Sequence, residues 1–263
     1  MKWFLVICVF LSACDDDDDT ETESNDMTVE VWGESFIESG IPEEELADGW
    51  SITFDRFLIN LGQISVAIEG EPAPLSDKTM RIWDLVKTGP HKILSEEVPV
   101  GEYTHSAYRI SPASEKSKNG NAEQVDADEM ISGGYAVFVE GSATKDDETI
   151  TFSWGFDKDT VYDPCHSKGH LTADKKGSVQ ITIHGDHLFY DDAVSEEPSL
   201  RFEDIALADE NEDGEVTLDE LADLDITPLE HYGVGSLDID NMKDYIAHMT
   251  GTLGHIDGEG HCD

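Results

Sequence analysis

Residues 50–68 read WSITFDRFLINLGQISVAI, and this stretch decides the fold class of the chain. From Trp50 to Asp55, large apolar residues alternate with polar ones, and from Phe57 to Ile68 the β-rich run continues. Alternation with a period of two is typical of a strand with one buried face, because successive side chains point to opposite faces. The stretch therefore predicts one or two long strands.

Further runs of the same kind lie between Met27 and Tyr190, separated by clusters of Gly, Pro, Asn and Asp. They are residues 28–32, 79–86, 102–110, 135–139, 149–156 and 178–184, whereas residues 114–128 are polar and predict a surface loop. About eight to ten short strands without long helices between them are typical of a sandwich or barrel. We predict a mainly β fold, with a β-sandwich-like domain over residues 28–197.

From Pro198 onward the apolar spacing becomes helical. Phe202 and Ile205 precede an acidic stretch at this spacing, leucines follow it, and Ile239 to Met249 place an apolar stripe on one last helix. We expect residues 198–263 to form a helix–loop–helix unit, a C-terminal helix and a tail, packed on the β domain. The fold would be α+β overall.

The acidic stretch, DENEDGEVTLDE at residues 209–220, has the ligand spacing of a calcium loop. Oxygen donors would come from loop positions 1, 3, 5, 7, 9 and 12, with glycine at position 6 for the sharp turn. The predicted ligands are Asp209, Asn211, Asp213, Glu215 through its carbonyl, Thr217 and Glu220. The pattern resembles the EF-hand, which implies bound Ca²⁺. We find no second loop, which favours a structural role. The alternative is an acidic turn with a capping box, since Thr217-x-x-Glu220 also fits that motif.

The chain begins MKWFLVICVFLSAC, an apolar run of signal-peptide length that is too short to span a bilayer. Its end, Leu11-Ser12-Ala13-Cys14, resembles the lipobox of bacterial lipoproteins. The resemblance implies a signal peptide over residues 1–13, acylation of Cys14 (palmitate included), and anchoring in the cell envelope, facing the periplasm or the exterior. An ordinary secretory signal or a short N-terminal anchor is the alternative. Residues 14–27 are strongly acidic and predict a disordered tether.

The chain carries 59 acidic and 16 basic residues, a net charge of −43. This charge argues against nucleic acid and anionic membrane surfaces as partners, so membrane contact would be through the lipid alone. Cys8 would leave with the signal peptide and Cys14 would carry lipid. Cys165 and Cys262 would then form a disulfide, as is typical of exported proteins.

Eight of the ten histidines follow residue 165. The candidate ligands form three groups, which are His166 with His170, His184 with His187, and His255 with His261. A Cys165–Cys262 disulfide would bring the first group to the third, and three imidazoles suit copper or zinc. His184 and His187 would meet only if the chain bends at Gly185-Asp186. The alternative is that these histidines are ordinary residues of polar loops.

The order of three segments, residues 50–61, 98–103 (VPVGEY) and 134–141, resembles the methanobactin-associated copper-binding proteins, without a ligand that can be matched residue by residue. The sequence has no nucleophile elbow, HExxH or phosphate loop, so we predict a protein that is not an enzyme. Our first prediction is a calcium-binding, membrane-anchored lipoprotein. The alternatives are a copper or zinc carrier or sensor, and a calcium-stiffened adhesion or assembly module with a protein or glycan partner.

Overall fold

The computed structural model describes residues 23–258 together with Gly260 and Cys262. Of these residues, 45% lie in strands and 16% in helices, so the predicted mainly β fold is confirmed. The predicted signal peptide, Cys14, the first part of the tether and His261 lie outside the described residues.

The strands form two sheets. In chain order they are β1 (Ser24–Trp32), β2 (Ser51–Ala67), β3 (Leu75–Asp77), β4 (Arg81–Asp84), β5 (His91–Pro99), β6 (Gly101–Ile110), β7 (Lys118–Asn119), β8 (Val137–Lys145), β9 (Glu148–Phe156), β10 (Thr160–Leu171), β11 (Gly177–Ile183), β12 (Glu215–Val216) and β13 (Gly254–Ile256). The smaller sheet has the order β13-β11-β1-β5. The larger has the order β10-β6-β2-β8-β9-β12, with β3, β4 and β7 beside β2 and one another.

Strand β2 is the centre of the larger sheet, and both of its faces are covered. Phe57 and Ile59 belong to the main core, which also contains Val29 of β1 and Ile181 of β11. Leu58 points the other way, into a smaller apolar cluster that includes Met130. A strand buried on both faces carries a continuous apolar run rather than an alternation, which explains the sequence after Phe57.

The helices are short. They are α1 (Glu34–Ser39), α2 (Gln124–Gly133), α3 (Glu203–Ala206), α4 (Leu218–Asp223) and α5 (Met242–Met249), with a 3₁₀ helix at Gly185–Phe189. Helix α2 begins inside the predicted surface loop 114–128, because Ala127 and Met130 cover the outer face of β2. Within the described residues, no helix is long and apolar enough to cross a membrane.

The C-terminal segment shares the core of the β domain. It supplies β12 to the larger sheet and β13 to the smaller one, and the Phe202 ring lies 5.1 Å from that of Trp50. Cys165 and Cys262 form the predicted disulfide across 97 residues. At the other end, β1 begins at Ser24, so residues 24–27 of the predicted tether are paired with β5.

Candidate metal centre

Three histidines converge at one edge of the smaller sheet. Strand β11 ends at Ile183, and His184 follows it immediately. The 3₁₀ helix Gly185–Phe189 then turns the chain and places His187 beside His184. On the neighbouring antiparallel strand β13, His255 is paired with Thr182 of β11. The ring centroid of His184 lies 4.4 Å from that of His255 and 5.3 Å from that of His187.

The predicted bend at Gly185-Asp186 is present. It requires glycine, because a Cβ at Gly185 would lie 2.6 Å from Cγ1 of Ile37 in α1. The bend also turns Asp186 towards the histidines. Ligand atoms of His184, Asp186 and His187 all lie within 4.8 Å of one another, and each of the three residues is at most 9% exposed.

Two polar atoms of this cluster are buried without a hydrogen bond. The Tyr190 hydroxyl donates to Oδ2 of Asp186 at 3.1 Å, but Oδ1 has no partner among the described residues. Nε2 of His184 has none either. Burial raises the pKa of Asp186, while His184 lowers it. Burying such groups unpaired costs about 1–3 kcal/mol each, and an ion bound between them would offset this cost.

The tautomer of His187 follows from its neighbours. Oγ1 of Thr252 donates its single hydrogen to the carbonyl of Met249 at 2.9 Å. The same oxygen must therefore accept from Nδ1 of His187, 3.1 Å away. The proton then sits on Nδ1 and the lone pair on Nε2. Burial, and secondly His184, lower the pKa of His187 to about 4, so the ring is neutral near pH 7. A neutral imidazole with its second nitrogen hydrogen-bonded is the usual form of a metal ligand.

The donor set fits a transition metal with modest rearrangement. Ligands of tetrahedral zinc lie about 3.4 Å apart for bonds of ~2.1 Å, so a pair at the limit of 4.8 Å would have to approach by roughly 1.4 Å. Imidazole and carboxylate donors suit Zn²⁺ and Cu²⁺. Thiolates do not contribute, because Cys165 and Cys262 are bonded to each other.

The cluster lies between two surface clefts. Asp186 and Tyr190 line one of them, together with the exposed carboxylates Glu44 and Glu45. His187 and His255 line the other, next to Cys262. Residues of the cluster therefore form part of the lining of both clefts.

The structure does not bring the other histidine group to this centre. Cys165 points into the core from β10, and its neighbour His166 therefore points outward. His170 is also exposed, and its Nδ1 lies 2.5 Å from Oε1 of Glu102. The disulfide joins the two cysteines as predicted, but strand alternation keeps His166 and His170 outside the cluster.

The acidic loop 209–220 has the turn that its glycine predicts. Gly214 has φ +82°, and the Asp209 carboxylate accepts from the backbone N–H groups of Asp213 and Gly214, both at 3.0 Å. The carboxylate of Glu220 accepts from Nδ2 of Asn211 at 2.9 Å. The remaining predicted ligands, Glu215 and Thr217, lie on β12 and at the start of α4.

The capping box that the sequence offers as an alternative for this stretch is also present. Thr217 and Glu220 form a complete capping box at the start of α4. The backbone N–H of Thr217 donates to the Glu220 carboxylate at 2.8 Å, and the backbone N–H of Glu220 donates to the Thr217 hydroxyl at 3.3 Å. The same carboxylate thus has a structural partner whether or not calcium binds.

Sequence reasoning named His184, His187 and His255 but missed Asp186, Tyr190 and Thr252. Asp186 had a signal, since it stands between two of the histidines. Thr252 and Tyr190 had none, because their roles depend on contacts made across the fold.

Comparison with models of known protein families, with curated proteins and with solved structures gave no match. Fold and site geometry therefore define the protein only as a mainly β protein with a buried histidine–aspartate cluster. The resemblances to the lipobox, the EF-hand and the methanobactin-associated proteins stay predictions.

Proposed function

We propose that this protein binds one divalent transition-metal ion, zinc or cupric copper, through His184, Asp186 and His187. His255 is the additional imidazole within reach. The observation that carries the proposal is a pair of buried atoms in the cluster, Oδ1 of Asp186 and Nε2 of His184, that have no hydrogen-bond partner among the described residues. The role is that of a carrier or sensor rather than an enzyme.

Donor chemistry supports this choice of metal. Calcium takes six to eight oxygen ligands, whereas imidazoles provide nitrogen and prefer borderline metals. Cuprous copper prefers thiolate and thioether ligands, and the cysteines here form a disulfide. Two imidazoles and one carboxylate are instead a common set for zinc and cupric ions.

The test is metal titration of the purified protein after removal of metals with a chelator. We expect a stoichiometry near one for Zn²⁺ or Cu²⁺. His187→Ala should weaken binding at least roughly 100-fold, since one of three ligands is lost. His170→Ala is the matched control, because His170 is exposed and outside the cluster. Binding that is absent, or equally strong in His187→Ala, would show that the cluster is not the site.

Calcium binding by the loop 209–220 is our second proposal. It is supported by the left-handed turn at Gly214 and by the carboxylates gathered around that turn. Calcium would offset the repulsion among Asp209, Asp213 and Glu220 and would stabilise the contact of β12 with β9. Its measurable consequence is a calcium-dependent rise in Tm that depends on Glu220.

We also propose that the protein is exported and anchored through Cys14 in the bacterial cell envelope. The support comes from the sequence of residues 1–14 and from the disulfide, since disulfides persist in oxidising compartments. Cys14→Ala should move the protein from the membrane fraction to the soluble fraction. Membrane retention equal to that of the parent would contradict lipid anchoring.

A further inference from the structure

Glu34 lies next to the cluster because of the way two strands pair. β1 and β11 are parallel neighbours, with Trp32 opposite Thr182. The residues that follow both strands therefore leave at the same edge of the sheet. Glu34 and His184 each stand two residues beyond that pair, and Oε2 of Glu34 lies 3.7 Å from Nε2 of His184.

The separation of 3.7 Å exceeds that of a hydrogen bond and lies within the range of an ion pair. Nε2 of His184 is also one of the two buried cluster atoms that have no hydrogen-bond partner in the described part of the chain. An ion placed between these two atoms would bind both. For bonds of about 2.1 Å, the two donors would be separated by roughly 3.4 Å, close to the observed distance.

The backbone of Glu34 is strained in a way that supports this arrangement. Its φ is +55°, a left-handed conformation that is unfavourable for a residue with a side chain. The turn is held from both sides, since a Cβ at Gly33 would lie 2.8 Å from Cβ of Leu85, and Ile37 packs against Gly185. Strain of this kind persists where the surroundings enforce it, and it clusters at ligand sites.

We propose that Glu34 is the fourth protein ligand of the metal centre, which then has two imidazoles and two carboxylates. This inference rests on the proposed function. Four protein ligands close a tetrahedral site, whereas a catalytic site keeps one position open for water or substrate. Glu34 therefore makes the centre a closed, holding site. It also links the N-terminal strand to the 3₁₀ helix through the metal.

The experiment uses Co²⁺ as a spectroscopic substitute for zinc, with azide as a small competing ligand. We expect the d–d spectrum of the cobalt-loaded parent to be insensitive to azide, because no position is open. Glu34→Gln should bind cobalt at least roughly tenfold more weakly and show an altered spectrum. This spectrum should change further when azide is added. Glu34→Gly is the second variant, since glycine tolerates the left-handed backbone.

Glu45→Gln is the matched control for the loss of one negative charge, since Glu45 is exposed and lines the cleft beside Asp186. It should keep the parent spectrum and the resistance to azide. An azide-sensitive parent, or a Glu34→Gln spectrum identical to that of the parent, would overturn the role of Glu34 and leave the three-residue site standing. A parent that binds no cobalt, zinc or copper would instead overturn the proposed function, and Glu34's role with it.

Discussion

Replacing His187 by glutamine should change how the stability of the metal-free protein depends on pH. The folded protein holds this imidazole neutral, because burial and the neighbouring His184 lower its pKa from 6.5 to about 4. In the unfolded chain the ring is solvated and protonates near pH 6.5. Acidification between these two values therefore adds a proton to the unfolded state only, and the folded state loses stability as the pH falls.

The size of the effect follows from the two pKa values. A difference of about 2.5 pH units corresponds to roughly 3.4 kcal/mol when the pH has fallen well below 4. Between pH 7.0 and 4.5, the same pair of pKa values lowers the free energy of unfolding by about 2.4 kcal/mol. Below pH 4 the ring is protonated in both states and the loss levels off. His187→Gln removes this term but keeps the other titrating groups of the chain.

The assay is urea denaturation at fixed ionic strength with a chelator present, at pH 7.0 and 4.5, for the parent and the variant. Comparing the two proteins cancels the large pH dependence that 59 acidic residues cause. The parent should lose about 2 kcal/mol more than His187→Gln over this interval. Changes in the two proteins that agree within about 0.5 kcal/mol would refute the neutral, buried state of His187.

Three further predictions concern the loop, the ligand support and the disulfide. Glu220→Gln should leave Tm unchanged in chelator, since glutamine also completes a capping box, but should abolish most of the rise in Tm with calcium. Thr252→Val removes the acceptor of the His187 ring proton and should weaken zinc or copper binding about 10- to 100-fold, measured by competition with a chelator. Replacing both Cys165 and Cys262 by alanine should lower the free energy of unfolding by about 2–5 kcal/mol in urea denaturation, because the disulfide closes a loop of 97 residues.

The first two of these predictions have matched control variants. Glu210→Gln removes a charge from a loop position that carries no predicted ligand, and it should keep the calcium response. A calcium response retained in Glu220→Gln would exclude the EF-hand-like site.

Thr250→Val is the control for Thr252, because the Thr250 hydroxyl donates to Ala247 and has no contact with the cluster in the described hydrogen bonds. Equal metal affinity of Thr252→Val and the parent would contradict the assigned tautomer. Unfolding free energies that do not differ without the disulfide would show that it contributes little.

Local patterns predicted much of the fold. The alternation around Trp50 and the run after Phe57 predicted strands that became β2, and the spacing from Pro198 onward predicted the short helices around the loop 209–220. These predictions succeeded because burial imposes its pattern on the sequence. A strand or helix with one buried face shows a regular period, and a strand buried on both faces, as β2 is after Phe57, shows a continuous apolar run. Strand β5 was not predicted, because most of its residues are exposed or half-buried and its apolar and polar side chains do not alternate regularly. Helix α2 was not predicted either, because only a few of its residues pack on β2.

The sequence by itself determined that the histidines cluster towards the C-terminal half, that 209–220 has calcium-loop spacing and that two cysteines remain to pair. Only the tertiary structure decided which histidines meet. His184 and His255 are 71 positions apart and come together because β11 and β13 are antiparallel neighbours, while His166 is turned outward by the pleat of β10. Glu34 reaches the same place through the parallel pairing of β1 with β11. Pairing between distant strands is set by the packing of the whole core, and a local window of sequence does not contain that information.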